Sequence, residues 1–263
     1  EPELLAYHYE QAGLAGPAVE YWHRAARRDA ERSANIEALN HFNRALDLLK
    51  DLPPGPERNA LELELLIARG VPLLSVKGYA SDEMEQNYRR AKDLSQEHSG
   101  SLHQFRAIRG LWVFHLVRGQ LANARGLADN LLALAHREQS SDLLVEAHRD
   151  LGTTYFYLGR LDEARTHLLA AKSLDDPNQQ RSLALRYGQD PGITARSYLA
   201  RTLWMLGEVE PVEPLALEAI GMARNLEHPY TLVFTLVFLS WLYSAARNMN
   251  RTLELTDEAI AVS

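Results

Sequence analysis

The sequence predicts an all-α chain, a right-handed superhelical solenoid of antiparallel helix hairpins, and three observations carry that expectation. Apolar residues recur at three- and four-residue spacings along most of the 263 residues, with almost no strand-like alternation. Gly or Pro interrupts that pattern about every 15 to 20 residues, which is the length of a helix and a turn. The chain also repeats itself: Leu111-Trp112 returns as Leu151-Gly152, Leu199-Ala200 and Leu239-Ser240, at intervals of 40, 48 and 40 residues.

Taken in order, the expected helices are 3–12, 17–32 and 35–50, bounded by Gly13, Pro17 and the stretch Asp51 to Pro56. Next come 57–76, closed by the turn at 77–81, then 81–97, 101–118 and 121–137, the last pair hinged at Gly119. The hairpin 141–158 and 161–174 turns at Gly159, and a long connection, Asp175 to Pro191, follows it. The series ends with 192–206, 209–225, 229–246 and 250–262, which turn at Gly207, Pro229 and Arg247. This is 12–13 helices, with 1–50 as N-terminal helices and 57–263 as repeats of about 40 residues in a single solenoid. Short connections make neighbours antiparallel.

Within the repeat, Gly119, Gly159, Gly207 and Arg247 occupy one turn position. Five residues on stand Ala124, Ala164, Val212 and Thr252, and seven further Leu131, Ala171, Ala219 and Ala259. A turn glycine supplies the left-handed cap that ends the first helix, and a small residue lets the second approach it closely.

Composition removes whole classes of chemistry. The absence of cysteine excludes disulfides, thiolate zinc sites, iron–sulfur clusters and cysteine nucleophiles, and leaves only His, Asp and Glu as metal ligands. A formal charge of −7 provides no overall basic field for nucleic acid. The start, Glu1-Pro2-Glu3, has no basic segment leading into an apolar one, so a cytoplasmic protein without a targeting peptide is expected. Both ends read as cuts in a longer protein, since residue 1 is not Met and Glu258 to Ser263 still reads as helix. Pro229 to Ala246 carries no charge, but it is short for a span and interrupted by hydroxyls, so it is expected as a buried helix packed on two sides.

The segment 148–177 carries Leu151, Gly152, Tyr155, Gly159, Leu161, Ala164, Leu168, Ala171 and Pro177, which resemble the tetratricopeptide-repeat (TPR) signature in type and spacing. Gly13, Ala18, Trp22 and Ala25 match its second half. Across the chain, PELLAYHYEQAGL, YWHRAARRDAERSANIEALNHFNRALDLL, KGYAS and RSLALRYGQDPG resemble the TPR-like regions of large bacterial proteins that join a class III adenylate/guanylate cyclase to an AAA/STAND-type ATPase. That resemblance implies that residues 1 to about 30 follow the ATPase module and that the rest is its sensor arm.

No catalytic part is expected in this stretch. A phosphate loop needs a Gly-Lys pair and the chain has none; a Gly-x-Ser-x-Gly elbow and a His-Glu-x-x-His helix are also missing. Asp175-Asp176, beside Pro177, read as a solvated helix end. The ten histidines are scattered, with His98, His103 and His136 near helix ends as surface or capping residues. Neither metal nor cofactor is expected.

Binding is the expected role, in the groove lined by the first helix of each hairpin. Residues 101–119 hold Arg106, Arg109 and Arg118 and no acid, and Pro177 to Gly207 hold Arg181, Arg186, Arg196 and Arg201 against Asp190 alone. Arg106, Arg109, Val113 and Leu116 share one helix face, as do Glu146, Arg149, Thr153 and Phe156, and Thr194, Ser197, Arg201 and Trp204. Stacking would set Arg109 beside Arg149, where guanidinium forks hold a carboxylate or phosphate with Phe156 and Trp204 alongside. The competing reading leaves those arginines as a solvated face or pairs them with acids on neighbouring helices. Tyr187, Gln189 and Asp190, in the long connection, form a second candidate as a lid, with capping by Asp190 as its alternative. Of the aromatic residues at helix-packing spacings, Tyr155, Tyr157, Phe234, Phe238 and Trp241 among them, most are expected in the core.

The expected function is a non-catalytic regulatory module that binds a protein, peptide or small anion and changes the state of an attached ATPase or cyclase. A scaffold for self-association and the effector-sensing repeat of a STAND-type transcription regulator are the alternatives, the first through pairing of helix 250–262 with a second copy.

Overall fold

The computed structural model describes residues 1–98 and 101–262. Among them every regular element is helical: α1 (Pro2–Gln11), α2 (Ala15–Glu31), α3 (Asn35–Leu48), a 3-10 turn (Leu49–Asp51), α4 (Pro56–Lys77), α5 (Asp82–His98), α6 (Ser101–Val117) and α7 (Leu121–Glu138). The series continues with α8 (Ser141–Tyr157), α9 (Leu161–Leu174), α10 (Gln180–Tyr187), α11 (Pro191–Leu206), α12 (Val212–Asn225), α13 (Pro229–Ala245) and α14 (Met249–Val262).

The turn chemistry acts as the repeat requires. Gly119, Gly159 and Gly207 have φ of 70°, 72° and 81°, and Arg247 takes the same left-handed conformation at 59°. Ser33, Gln139 and Glu227 adopt it too, at turns that no glycine marks. These positions are buried, Ala124, Ala164, Leu131, Ala171 and Ala219 fully so, except Thr252, which is half-buried. Gly152 shows why a small residue stands there, because a Cβ would lie 2.5 Å from Leu168 Cγ of α9.

The chain divides into two compact units, Glu1–Leu127 and Ala128–Ser263. In the first, each helix from α1 to α5 packs on the next. Val19, Ala26, Phe42 and Leu65 centre one cluster, and Leu63, Ile67, Ala91 and Leu94 another. The Tyr88 ring of α5 is wedged against α4 and α6 where Gly70 and Gly110 leave room, since a Cβ at Gly110 would lie 2.3 Å from it. In the second unit α11 is central, packing on α8, α9, α12 and α13, while α13 also carries α14. Residues 191–200 are buried on every side.

Two expectations need correction. The stretch after α9 is not all connection: α10 forms there, burying Leu183, Ala184 and Tyr187, and ends at Gly188 with φ 79°. Asp175 is not a solvated helix end, because its side chain is fully buried and accepts a 2.7 Å bond from Arg196 Nη1. Its neighbour Asp176 is exposed. The uncharged segment forms α13, packed against α11 and α12 as well as α14, and no described helix is long and apolar enough to cross a membrane.

Candidate functional site

Repeat register brings three four-residue sets onto the first helices of the second unit: Glu146, Arg149, Thr153 and Phe156 on α8, then Thr194, Ser197, Arg201 and Trp204 on α11, then Phe234, Val237, Trp241 and Ser244 on α13. Of the expected arginines, Arg149 is 3% exposed and forms ion pairs with Glu146 and, at 2.9 Å, with Asp150. It is a satisfied internal cation rather than an open fork. Arg196 is likewise held between Asp175 and Glu218, both at 2.7 Å. The Thr194 and Ser197 hydroxyls donate to the Asp190 and Ile193 carbonyls of their own helix, at 2.7 and 3.0 Å. Thr153 is buried, and its hydroxyl has no partner among the described residues.

Arg106 and Arg109 lie on α6 in the first unit, both half-buried. They stand close enough to Tyr88 to oppose the upward push that burial gives its phenol pKa. Arg149 belongs to the second unit. His98 lies at the end of α5, and its side chain is outside the described residues.

Arg201 differs from the other arginines of its unit. It is half-buried, and its guanidinium carbon lies 4.3 Å from the Phe238 ring centroid, 5.3 Å from Phe156 and 5.4 Å from Trp241. Three rings therefore surround the cation, an attraction of roughly 0.5–2 kcal/mol per favourable contact. No carboxylate pairs with it among the described residues. Burial pulls its pKa down, and the Tyr157 and Tyr198 hydroxyls oppose that shift. Those two hydroxyls lie 3.1 Å apart, and Tyr198, chiefly through burial, titrates well above an ordinary tyrosine. Phe234 stacks on Phe238 at 5.3 Å and continues the aromatic wall along α13.

The wall is open to solvent. Trp241 is 59% exposed and Tyr157 49%, with Val237 and Met205 also exposed nearby in the register and Trp204 half-buried. Trp241 and Tyr157 are therefore exceptions to the core packing expected of most aromatic residues. The repeat spacing holds the signal that finds it, since Trp241 stands 40 residues after Arg201 in the same row.

The loop candidate resolves into a cap. Asp190 is fully buried, its Oδ1 accepts from Ile193 N at 2.7 Å, and its backbone N–H donates to Thr231 Oγ1 of α13 at 3.2 Å. Its Oδ2 has no partner among the described residues, and its pKa is raised to about 7, first by burial and then by Asp175 and Glu146, against the Ile193 N–H and Arg196. Tyr187 is buried and Gln189 half-buried, so these residues close over the start of α11.

No protein-family model matches the chain. It is 23% identical over 233 residues to an uncharacterized protein, R02095, of Rhizobium meliloti (strain 1021); the match covers 88% of this chain and 22% of that protein. The chain thus spans about a fifth of the length of this relative. Among solved structures it resembles a Rap protein complexed with competence and sporulation factor, at 13% identity and TM-score 0.71, covering 95% of this chain and 69% of that one. A Rap conjugation gene regulator of the plasmid pLS20 in complex with the Phr* peptide gives 16% identity and 0.64, covering 96% and 76%. The TPR-like repeats of a putative kinesin light chain from Podosopora anserina give 17% and 0.55, covering 80% and 96%. At these identities the likeness defines the fold: a TPR-like solenoid of helical repeats.

Proposed function

We propose that this chain is a non-catalytic regulatory module that captures a peptide or protein segment on the face shared by α8, α11 and α13. The observation that carries the reading is the solvent-open aromatic wall around Arg201, because large rings left exposed side by side on the first helices of successive hairpins mark a surface built for contact. The Rap structures with competence and sporulation factor and with the Phr* peptide support a peptide as the ligand class on this fold. The attached enzyme in this reading, whose state the occupied arm would bias, comes from the sequence resemblance to cyclase-linked STAND ATPases alone.

Selection of a displayed random-peptide library on the protein tests this. Enriched sequences are expected to bind the wild type and to lose at least tenfold in affinity with Tyr157→Ala plus Trp241→Ala. Peptides that bind the double variant equally, or the absence of any enrichment, count against the reading.

A further inference from the structure

The buried cations of this unit are each matched by acids: Arg149 by Glu146 and Asp150, Arg196 by Asp175 and Glu218. Arg201 alone among these three arginines is held by rings, with no acid to complete it. A guanidinium has five N–H donors in a planar fork, and ring faces satisfy its charge but not those donors. Partial desolvation makes the remaining capacity stronger, because a carboxylate arriving there meets a poorly hydrated cation in a low-dielectric surround.

We infer that Arg201 anchors a carboxylate side chain of the bound segment, and that Trp241, Tyr157 and Phe234 take an apolar or aromatic side chain next to it. This rests on the peptide-binding reading above and names its recognition chemistry: an Asp or Glu adjacent to a large apolar residue. The charge distribution selects a single carboxylate over a polyanion. One guanidinium matches one carboxylate. The start of α11 lies about 16 Å along the helix from Arg201, and toward that end Glu146, Asp150 and Asp175 outnumber Arg149 and Arg196 among them. A phosphate chain or nucleic-acid backbone laid along the helices from Arg201 would run toward that excess of acid and be repelled.

The test uses three blocked peptides, acetyl-(Phe-Glu)3-amide, acetyl-(Phe-Gln)3-amide and acetyl-(Phe-Lys)3-amide, titrated into the 15N-labelled protein while the Trp indole N–H resonances are followed. The Glu peptide is expected to shift the Trp241 resonance and to bind at least tenfold more tightly than the Gln peptide. Arg201→Gln should abolish that difference and leave weak binding of both. Equal binding of Glu and Gln peptides to the wild type overturns the carboxylate inference while sparing the peptide reading. Tighter binding of the Lys peptide overturns it in favour of the acids. Failure of all three to move Trp241 sinks both readings. The peptide comparison on wild-type protein decides the matter even where Arg201→Gln folds poorly.

Discussion

Asp190 shows how one side chain ties the candidate face to its support. One carboxylate oxygen caps α11, the backbone N–H reaches Thr231 on α13, and the other oxygen is buried without a partner. The groups around it are Glu146 from α8, Asp175 from the α9 end and Arg196 from α11 itself. Its pKa of about 7 in the folded chain, against an ordinary 3.8, means that the folded state holds a proton which the unfolded state has released between those values. Stability from this group is therefore complete below about pH 4 and is lost as pH rises through 7. Asp190→Asn keeps a capping oxygen and removes the charge. It should be more stable than the wild type by about 1–4 kcal/mol at pH 8, with the gap shrinking toward pH 4. Urea denaturation across that range measures this, and a pH-independent gap contradicts it. His148, pushed down to about 4 by burial and by His167, contributes with the opposite sign, losing stability as pH falls below 6.5, and cancels in the difference between variants.

At the scale of the hairpin, Arg247 stands where three earlier repeats place glycine, at φ 59° and exposed to solvent. A side-chain-bearing residue in the left-handed region costs about 1–2 kcal/mol, partly offset by the extra freedom glycine brings to the unfolded chain. Arg247→Gly should stabilise by about 0.5–1 kcal/mol, read as a higher urea midpoint with an unchanged slope. The same turn chemistry made the hairpins legible in the sequence: Gly159 and Ala164 are dictated by a turn and a close approach, constraints local enough to show as residue types. The helix α10 was not legible, because eight residues with Leu183, Ala184 and Tyr187 inward amount to barely two turns of pattern, and packing against α11 and the end of α12 fixes them. The aromatic and Arg201 part of the site was half legible. Arg201 and Phe156 stood out by face, and the i, i+3 spacing of Glu146 and Arg149 already carried their pairing, but the burial that closes Arg149 off from solvent is not encoded by spacing.

Over the whole molecule, the −7 charge conceals a pairing rule: Arg44 meets Glu10, Arg90 meets Glu62 and Arg224 meets Glu258, each tying one helix to another. Exposed pairs of this kind contribute little apiece, so cohesion comes mainly from apolar contact between successive helices. In such a stack a local cost should be felt by neighbours and fade with distance along the chain. Gly152→Ala provides that cost, since the new methyl forces Leu168 aside, typically 1–3 kcal/mol for overpacking. Native-state hydrogen exchange of this variant is expected to show lost protection in α8, α9 and α11, the helices in mutual contact, with α1 to α4 of the first unit near wild-type values. An equal loss of protection in every helix would mean that the chain opens as one cooperative body. The proposed peptide-binding face, on α8, α11 and α13, would then be unable to change its packing without unfolding the rest, and the proposed relay to an attached enzyme would need another route.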